Sequence, residues 1–120
     1  MTENENSKQY DLEDRTFAFA RDVREFVKGL KRTTANIEDG KQLIRASGSV
    51  GANYIEANEA LSRKDFLMRI RICRKESKES RYWLRLVDAC DEKQQVRRQE
   101  LIQEATELMS IFGAIVRKSE

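Results

Sequence analysis

Seven cations on one side of a predicted helix are the residues of this sequence best spaced to do chemistry. Lys64, Arg71, Lys78 and Arg85 recur every seven residues, and Arg74, Lys75 and Arg81 flank them. Residues 63–85 hold nine Lys or Arg against three Asp or Glu, although the whole chain carries a formal charge of only +2. Residues 1–14 show the opposite imbalance, one Lys against five acids. On a helix the seven cations point away from the apolar seam and extend over about 32 Å. A row of that length can follow a phosphate backbone, with guanidinium groups forked onto phosphate oxygens. The same residues also fit a solvated helix face that pairs with acidic neighbours. No RNA-recognition motif, zinc finger or recognition-helix pattern accompanies them. Any binding is therefore expected to read backbone and shape rather than bases.

Other chemistry has few parts to work with. Histidine is absent, which removes the commonest general base and metal ligand, and no CxxC pair or glycine-rich phosphate loop occurs. No metal, no cofactor and no enzymatic activity are expected. Cys73 and Cys90 read as buried free thiols. A second polar stripe runs through Arg45, Ser49, Ala52 or Asn53, and Glu56, while Glu76 and Glu79 lie beside the seam of the cationic helix. Carboxylates on an otherwise apolar flank need cationic or amide partners when buried. Arg45, Asn53, Glu56, Glu76 and Glu79 are thus the candidates for a structural polar network, the alternative being a wetted edge.

The elements that must position these residues are all helical. Phe19, Val23, Phe26, Val27 and Leu30 share one face of a first helix over Leu12–Lys31. The segment TTAN, residues 33–36, interrupts it, and Asn36 is the expected cap of the next helix, with Asp39 three residues on. That second helix, 37–58, aligns Leu43, Ser47, Val50, Tyr54 and Ala57. Ser62 with Asp65 has the form of a capping box, so a third helix should begin near Arg63. Along it Phe66, Ile70, Cys73, Ser77, Ser80, Leu84 and Val87 alternate four and three residues apart, a coiled-coil seam. DACDEKQQ, residues 88–95, is the expected turn. A fourth helix follows with Leu101, Ala105, Leu108, Phe112 and Ile115 or Val116.

Two of the second helix's three glycines, Gly48 and Gly51, lie deep in its interior, where each costs about 1 kcal/mol against alanine. The apolar rhythm passes through them without a change of phase. Ser47, Gly48, Gly51 and Ala52 are therefore expected to stay helical and to let the third helix approach closely. Four amphipathic helices with short connections predict an all-α, antiparallel up-down-up-down four-helix bundle over residues 12–118, behind a disordered polar tail, 1–11.

The composition agrees with one soluble domain. At 120 residues there is room for a single modest core, and 37% charged residues of mixed sign accompany 39% hydrophobic ones. No apolar run reaches the length of a membrane span, and no signal-peptide core opens the chain, so a cytoplasmic protein without membrane contact is expected. Ile72, Trp83 and Leu86 give the third helix a second apolar flank beyond its seam. A bundle this small cannot easily bury both, which points to a homo-oligomer.

The run IRASGSVGANYIEANEALSRKDFLMRIRICRKESKESRYWLRL, residues 44–86, carries a resemblance. It is similar to the four-helix-bundle family first noticed in intervening sequences of bacterial large-subunit ribosomal RNA genes. The matching pieces are Arg45–Ser49, Asn53–Glu56, Lys64–Phe66, and Glu79 with Trp83 and Leu84. KESKESRYWL resembles a branch with Lys-Glu-x-x-Glu-x-x-Tyr-Trp-Leu at that position, with Ser77 where alanine is usual. The loop after Glu56 reads ANEALS, where the family often carries glycine. The resemblance implies a ring of five subunits, and a related branch, the accessory proteins of diversity-generating retroelements, binds nucleic acid. The leading expectation is a non-enzymatic oligomeric bundle that binds RNA or single-stranded DNA through its third helix. The runner-up is a scaffold or adaptor for a protein partner, in which the acidic tail, Tyr82 and Trp83 would matter more.

Overall fold

The computed structural model describes residues 12–120 in full, and the first helix is assigned from Glu3. The polar tail expected over residues 1–11 lies outside the described residues. Four helices follow one another: α1 (Glu3–Lys28), α2 (Thr34–Asn58), α3 (Arg63–Leu86) and α4 (Glu92–Ser119). Each packs on the next, and α1 closes the square against α4, with the most extensive contact between α2 and α3. Antiparallel order shows in the cross-contacts. Arg63 at the start of α3 donates to the Ser119 and Glu120 carbonyls that end α4, and Arg98 near the start of α4 donates to the Val87 carbonyl at 2.8 Å. The up-down-up-down bundle is therefore the fold.

Each start signal is a short polar side chain that accepts from an otherwise unpaired amide. Ser62 Oγ accepts from the Asp65 amide at 3.1 Å, as expected, and Asp91 Oδ1 accepts from the Gln94 amide at 2.8 Å. The cap of α2 is a correction. Thr33, not Asn36, holds that position, its Oγ1 accepting from the Asn36 amide at 3.1 Å. The helix consequently starts three residues before Ile37.

Asn36 does something else. It is buried, and its Nδ2 donates to the Lys31 and Asp88 carbonyls at 3.0 and 3.1 Å. Its Oδ1 accepts from the Asp88 amide at 2.9 Å. One side chain thus ties the α1–α2 connection to the α3–α4 connection. A buried amide satisfied on both its oxygen and its nitrogen leaves no desolvated polar group behind.

The core is built by the expected seams. Phe19, Val23, Leu43, Val50, Ile70, Leu84, Leu108 and Phe112 are fully enclosed, as is Val87 at the end of α3. Of the two candidates near the end of α4, Val116 is buried and Ile115 half-buried. The α3 serines fit this core because their hydroxyls bond backward within the helix, Ser77 to the Cys73 carbonyl at 2.9 Å and Ser80 to the Glu76 carbonyl at 2.8 Å. With Cys73 they make a narrow strip, and Cys73 Sγ reaches the Val50 carbonyl of α2 at 3.4 Å.

Gly48 and Gly51 do stay within α2, but their partner differs from the expectation. A Cβ at Gly51 would stand 3.0 Å from Oγ1 and 3.4 Å from Cβ of Thr16, both on α1. Gly48 faces Arg24, also on α1, and Ala52 is exposed. The glycines bring in α1. On the α3 side of its contact with α2 the buried residues include the small Cys73, Ser77 and Ser80, while Ser47 of α2 is fully buried. Sequence spacing located the small strip on α2 but could not say which neighbour it meets, because both neighbours follow the same 3.6-residue rhythm.

Candidate nucleic-acid interface

The cationic row lies on the outer and α4-facing sides of α3. Lys64, Arg71, Arg74, Lys75, Lys78 and Arg85 are exposed, and Arg81 is half-buried. From Lys64 to Arg85 the helix rises about 32 Å. The seven are not equivalent. Arg71 pairs with Glu120 at 3.0 Å, Lys75 sits 3.9 Å from Glu79 on its own helix, and Arg81 donates to Thr106 Oγ1 at 3.4 Å. Lys64, Arg74, Lys78 and Arg85 make no ion pair among the described residues. The pairs of Arg71 and Lys75 are exposed contacts of the kind that dissolve readily in salt, so both heads remain available to an anion.

Sequence reasoning missed the contribution of α4. Gly113 is buried on the α3 side, and a Cβ there would stand 3.4 Å from Arg117 Nη1 and 3.8 Å from Arg74 Nε. Two guanidinium groups from different helices thus meet over one bare stretch of backbone. Arg117 extends the row beyond α3. The signal was a glycine in α4 followed four residues later by arginine, legible only once Arg74 was known to sit opposite.

The expected polar network separates into two pairs. Asn53 Oδ1 accepts from Arg69 Nη1 at 3.0 Å while its Nδ2 donates to the Ser49 carbonyl at 2.9 Å. Asn53 therefore meets Arg69, a cation outside the expected set. Glu76 is half-buried, and burial raises its pKa above the ordinary carboxylate value, helped by a hydrogen bond with Glu79 and opposed by the nearby charges of Lys75 and Arg45. Arg45 and Glu56 are exposed. Glu76 is half-buried and Glu79 exposed, so the two glutamates lie at a half-wetted edge.

The second flank of α3 is mixed. Trp83 packs onto the core and meets Tyr82 edge to face, ring centroids 5.0 Å apart. Met68, Tyr82 and Leu86 are exposed on the outer surface, while Ile72 is half-buried. Both cysteines are free, but only Cys73 is buried, where desolvation pushes its pKa up to about 12. Cys90 is exposed, against expectation. Among the described residues no cluster of His, Cys, Asp or Glu could hold a metal ion, and no helix is long and apolar enough to cross a membrane.

The described residues form a four-helix bundle with a cationic α3–α4 edge. The chain matches the model of the 23S rRNA-intervening sequence protein family over residues 8–114, and it belongs to that family. It is also similar to a crystal structure from Bacteroides thetaiotaomicron, described as a protein of unknown function from the S23 ribosomal protein family. The two share 29% identity with a TM-score of 0.76, over 88% of this chain and 94% of that one. No curated protein matches the chain.

Proposed function

We propose that this protein is a non-enzymatic, oligomeric bundle that binds RNA or single-stranded nucleic acid non-specifically through the α3–α4 edge. The observation that carries the reading is the continuous outward row from Lys64 to Arg85, in which Lys64, Arg74, Lys78 and Arg85 have no carboxylate partner among the described residues. Unneutralised cations at helical spacing attract a polyanion by releasing its counterions. The family name refers to 23S rRNA intervening sequences, which makes RNA the first ligand to test. Repetition of the row around an assembly would add the fields of its copies. The exposed Met68, Tyr82 and Leu86 support self-association, with a pentamer favoured by the family resemblance.

Fluorescence anisotropy with a labelled single-stranded RNA tests the binding. Affinity should fall with salt at a log–log slope near about −0.7 per neutralised phosphate. Changing Arg71, Arg74, Lys78 and Arg81 together to glutamine should abolish most of it while helicity is retained. Parent-like binding by that variant, or binding indifferent to salt, would leave the row a solvated face. Light scattering on the same samples reads the assembly, and a monomer mass at micromolar concentration rules the oligomer out. The same exposed Met68, Tyr82 and Leu86 favour a second reading, a scaffold for a protein partner, which predicts instead that alanine at these three sites abolishes capture of the partner and leaves RNA untouched.

A further inference from the structure

A second cationic feature lies on the edge opposite the α3–α4 row. Where the end of α1 meets the start of α2, a cleft of about 430 Å³ opens beside the connection between them. Its floor is apolar, formed by Val27, Leu30, Ile37 and Ile44 around Gly40. A Cβ at Gly40 would stand 3.0 Å from Val27 Cγ1, so the glycine lets α1 close down and form that floor. The rim is Arg24, Lys28, Lys31, Arg32 and Lys41, and no carboxylate lines the cleft.

The charge on this rim exceeds what its neighbours neutralise. Lys28 and Lys41 each pair at 3.2 Å with a carboxylate on their own helix, Glu25 and Glu38. Such exposed pairs are weak and yield to a better anion. Arg24, Lys31 and Arg32 have no ion pair among the described residues, and Arg24 Nη1 only donates to the Ala20 carbonyl at 3.4 Å. All five cations are exposed; Lys28 lies in the last turn of α1, and Arg24 reaches over Gly48 of α2. Like charges gathered around a concave apolar floor repel one another until an anion enters.

We infer that this cleft binds a nucleoside di- or triphosphate, with the phosphates on the cationic rim and the nucleoside against the apolar floor. The volume lies within the range of small-molecule sites, about 300–1,000 Å³, and the combination of apolar floor and charged rim suits a ligand that is itself half apolar and half anionic. The same chemistry is offered by a free nucleotide and by the 5′-terminal nucleotide of an RNA. The inference stands apart from the α3–α4 reading, because the two sites occupy opposite edges of the square.

Isothermal titration calorimetry with ATP, AMP and adenosine tests it on the intact chain at low salt. ATP should bind saturably, AMP more weakly and adenosine least. The triple variant Arg24→Gln, Lys31→Gln, Arg32→Gln should weaken ATP at least about tenfold, as expected for losing charge-assisted contacts, with the circular dichroism unchanged. Glutamine substitutions at Arg71, Arg74, Lys78 and Arg81 should leave ATP binding intact. Inorganic triphosphate should displace ATP from the parent protein, a result that needs no variant to fold. An RNA with a 5′-triphosphate that competes better than its 5′-hydroxyl counterpart identifies the terminal source, and failure of both RNAs to compete identifies the free nucleotide. Absence of ATP binding at millimolar concentration, failure of triphosphate to compete, or adenosine binding as tightly as ATP would each overturn the assignment.

Discussion

At Gly51 a hydrogen occupies the space where a Cβ would lie 3.0 Å from Thr16 Oγ1. Thr16 is itself buried, its hydroxyl donating to the Glu13 carbonyl at 3.0 Å, so it cannot rotate away without losing that partner. Gly51→Leu should therefore lower stability by about 1–3 kcal/mol through overpacking, read as a shift of the urea midpoint. Combining it with Thr16→Ala should recover part of the loss, because the two positions share one contact. Strict additivity of the two changes would show that α1 is not what Gly51 accommodates. That a small residue was needed here was legible, since no other reason explains two glycines inside an unbroken apolar rhythm. The identity of the neighbour was not, because it depends on how the helices are arranged around the square.

α3 shows what a single helix can and cannot announce. Its start, its seam and the outward set of its cations follow from spacing alone, and Ser62, Ile70, Cys73 and Leu84 stand where that spacing puts them. The cross-helix pairs do not follow. Arg69 with Asn53 and Arg74 with Arg117 each need a second helix in a definite register, and no local pattern encodes that register. The α2-facing side has a consequence for pH. Burial raises the pKa of Glu76 above the ordinary 4.5. The folded state then keeps a proton that the unfolded chain gives up more readily. The stability linked to Glu76 is present in full below the ordinary carboxylate pKa and is lost as pH rises through the raised value. Glu76→Gln, which imitates the neutral acid, should raise the melting temperature at pH 7 and change it little at pH 4. An equal effect at both values would locate the change in packing rather than in ionisation.

Across the whole molecule the two ends of the bundle are secured differently. At one end Asn36 ties both connections together, and Gln95 Nε2 adds a bond to the Ala89 carbonyl at 3.2 Å. Asn36→Ala removes three hydrogen bonds and should destabilise by about 1–3 kcal/mol, measured by chemical denaturation. A change below about 0.5 kcal/mol, the level of an ordinary surface substitution, would mean that water replaces the amide without loss. Among the described residues the opposite end carries the short connection 59–62, where Leu61 is 99% exposed, and the exposed contacts of Arg63 and Arg71 with the end of α4. Such an arrangement divides the molecule into a clamped end and a loose one, as in a sheaf bound near one end. Amide exchange should grow faster along α2 and α3 toward residues 59–62, and a limited protease should cut there before it cuts the connection at 29–33. Splicing a short peptide in after Leu61 should be tolerated, whereas the same insertion beside Lys31 would pull at the knot that holds two connections at once.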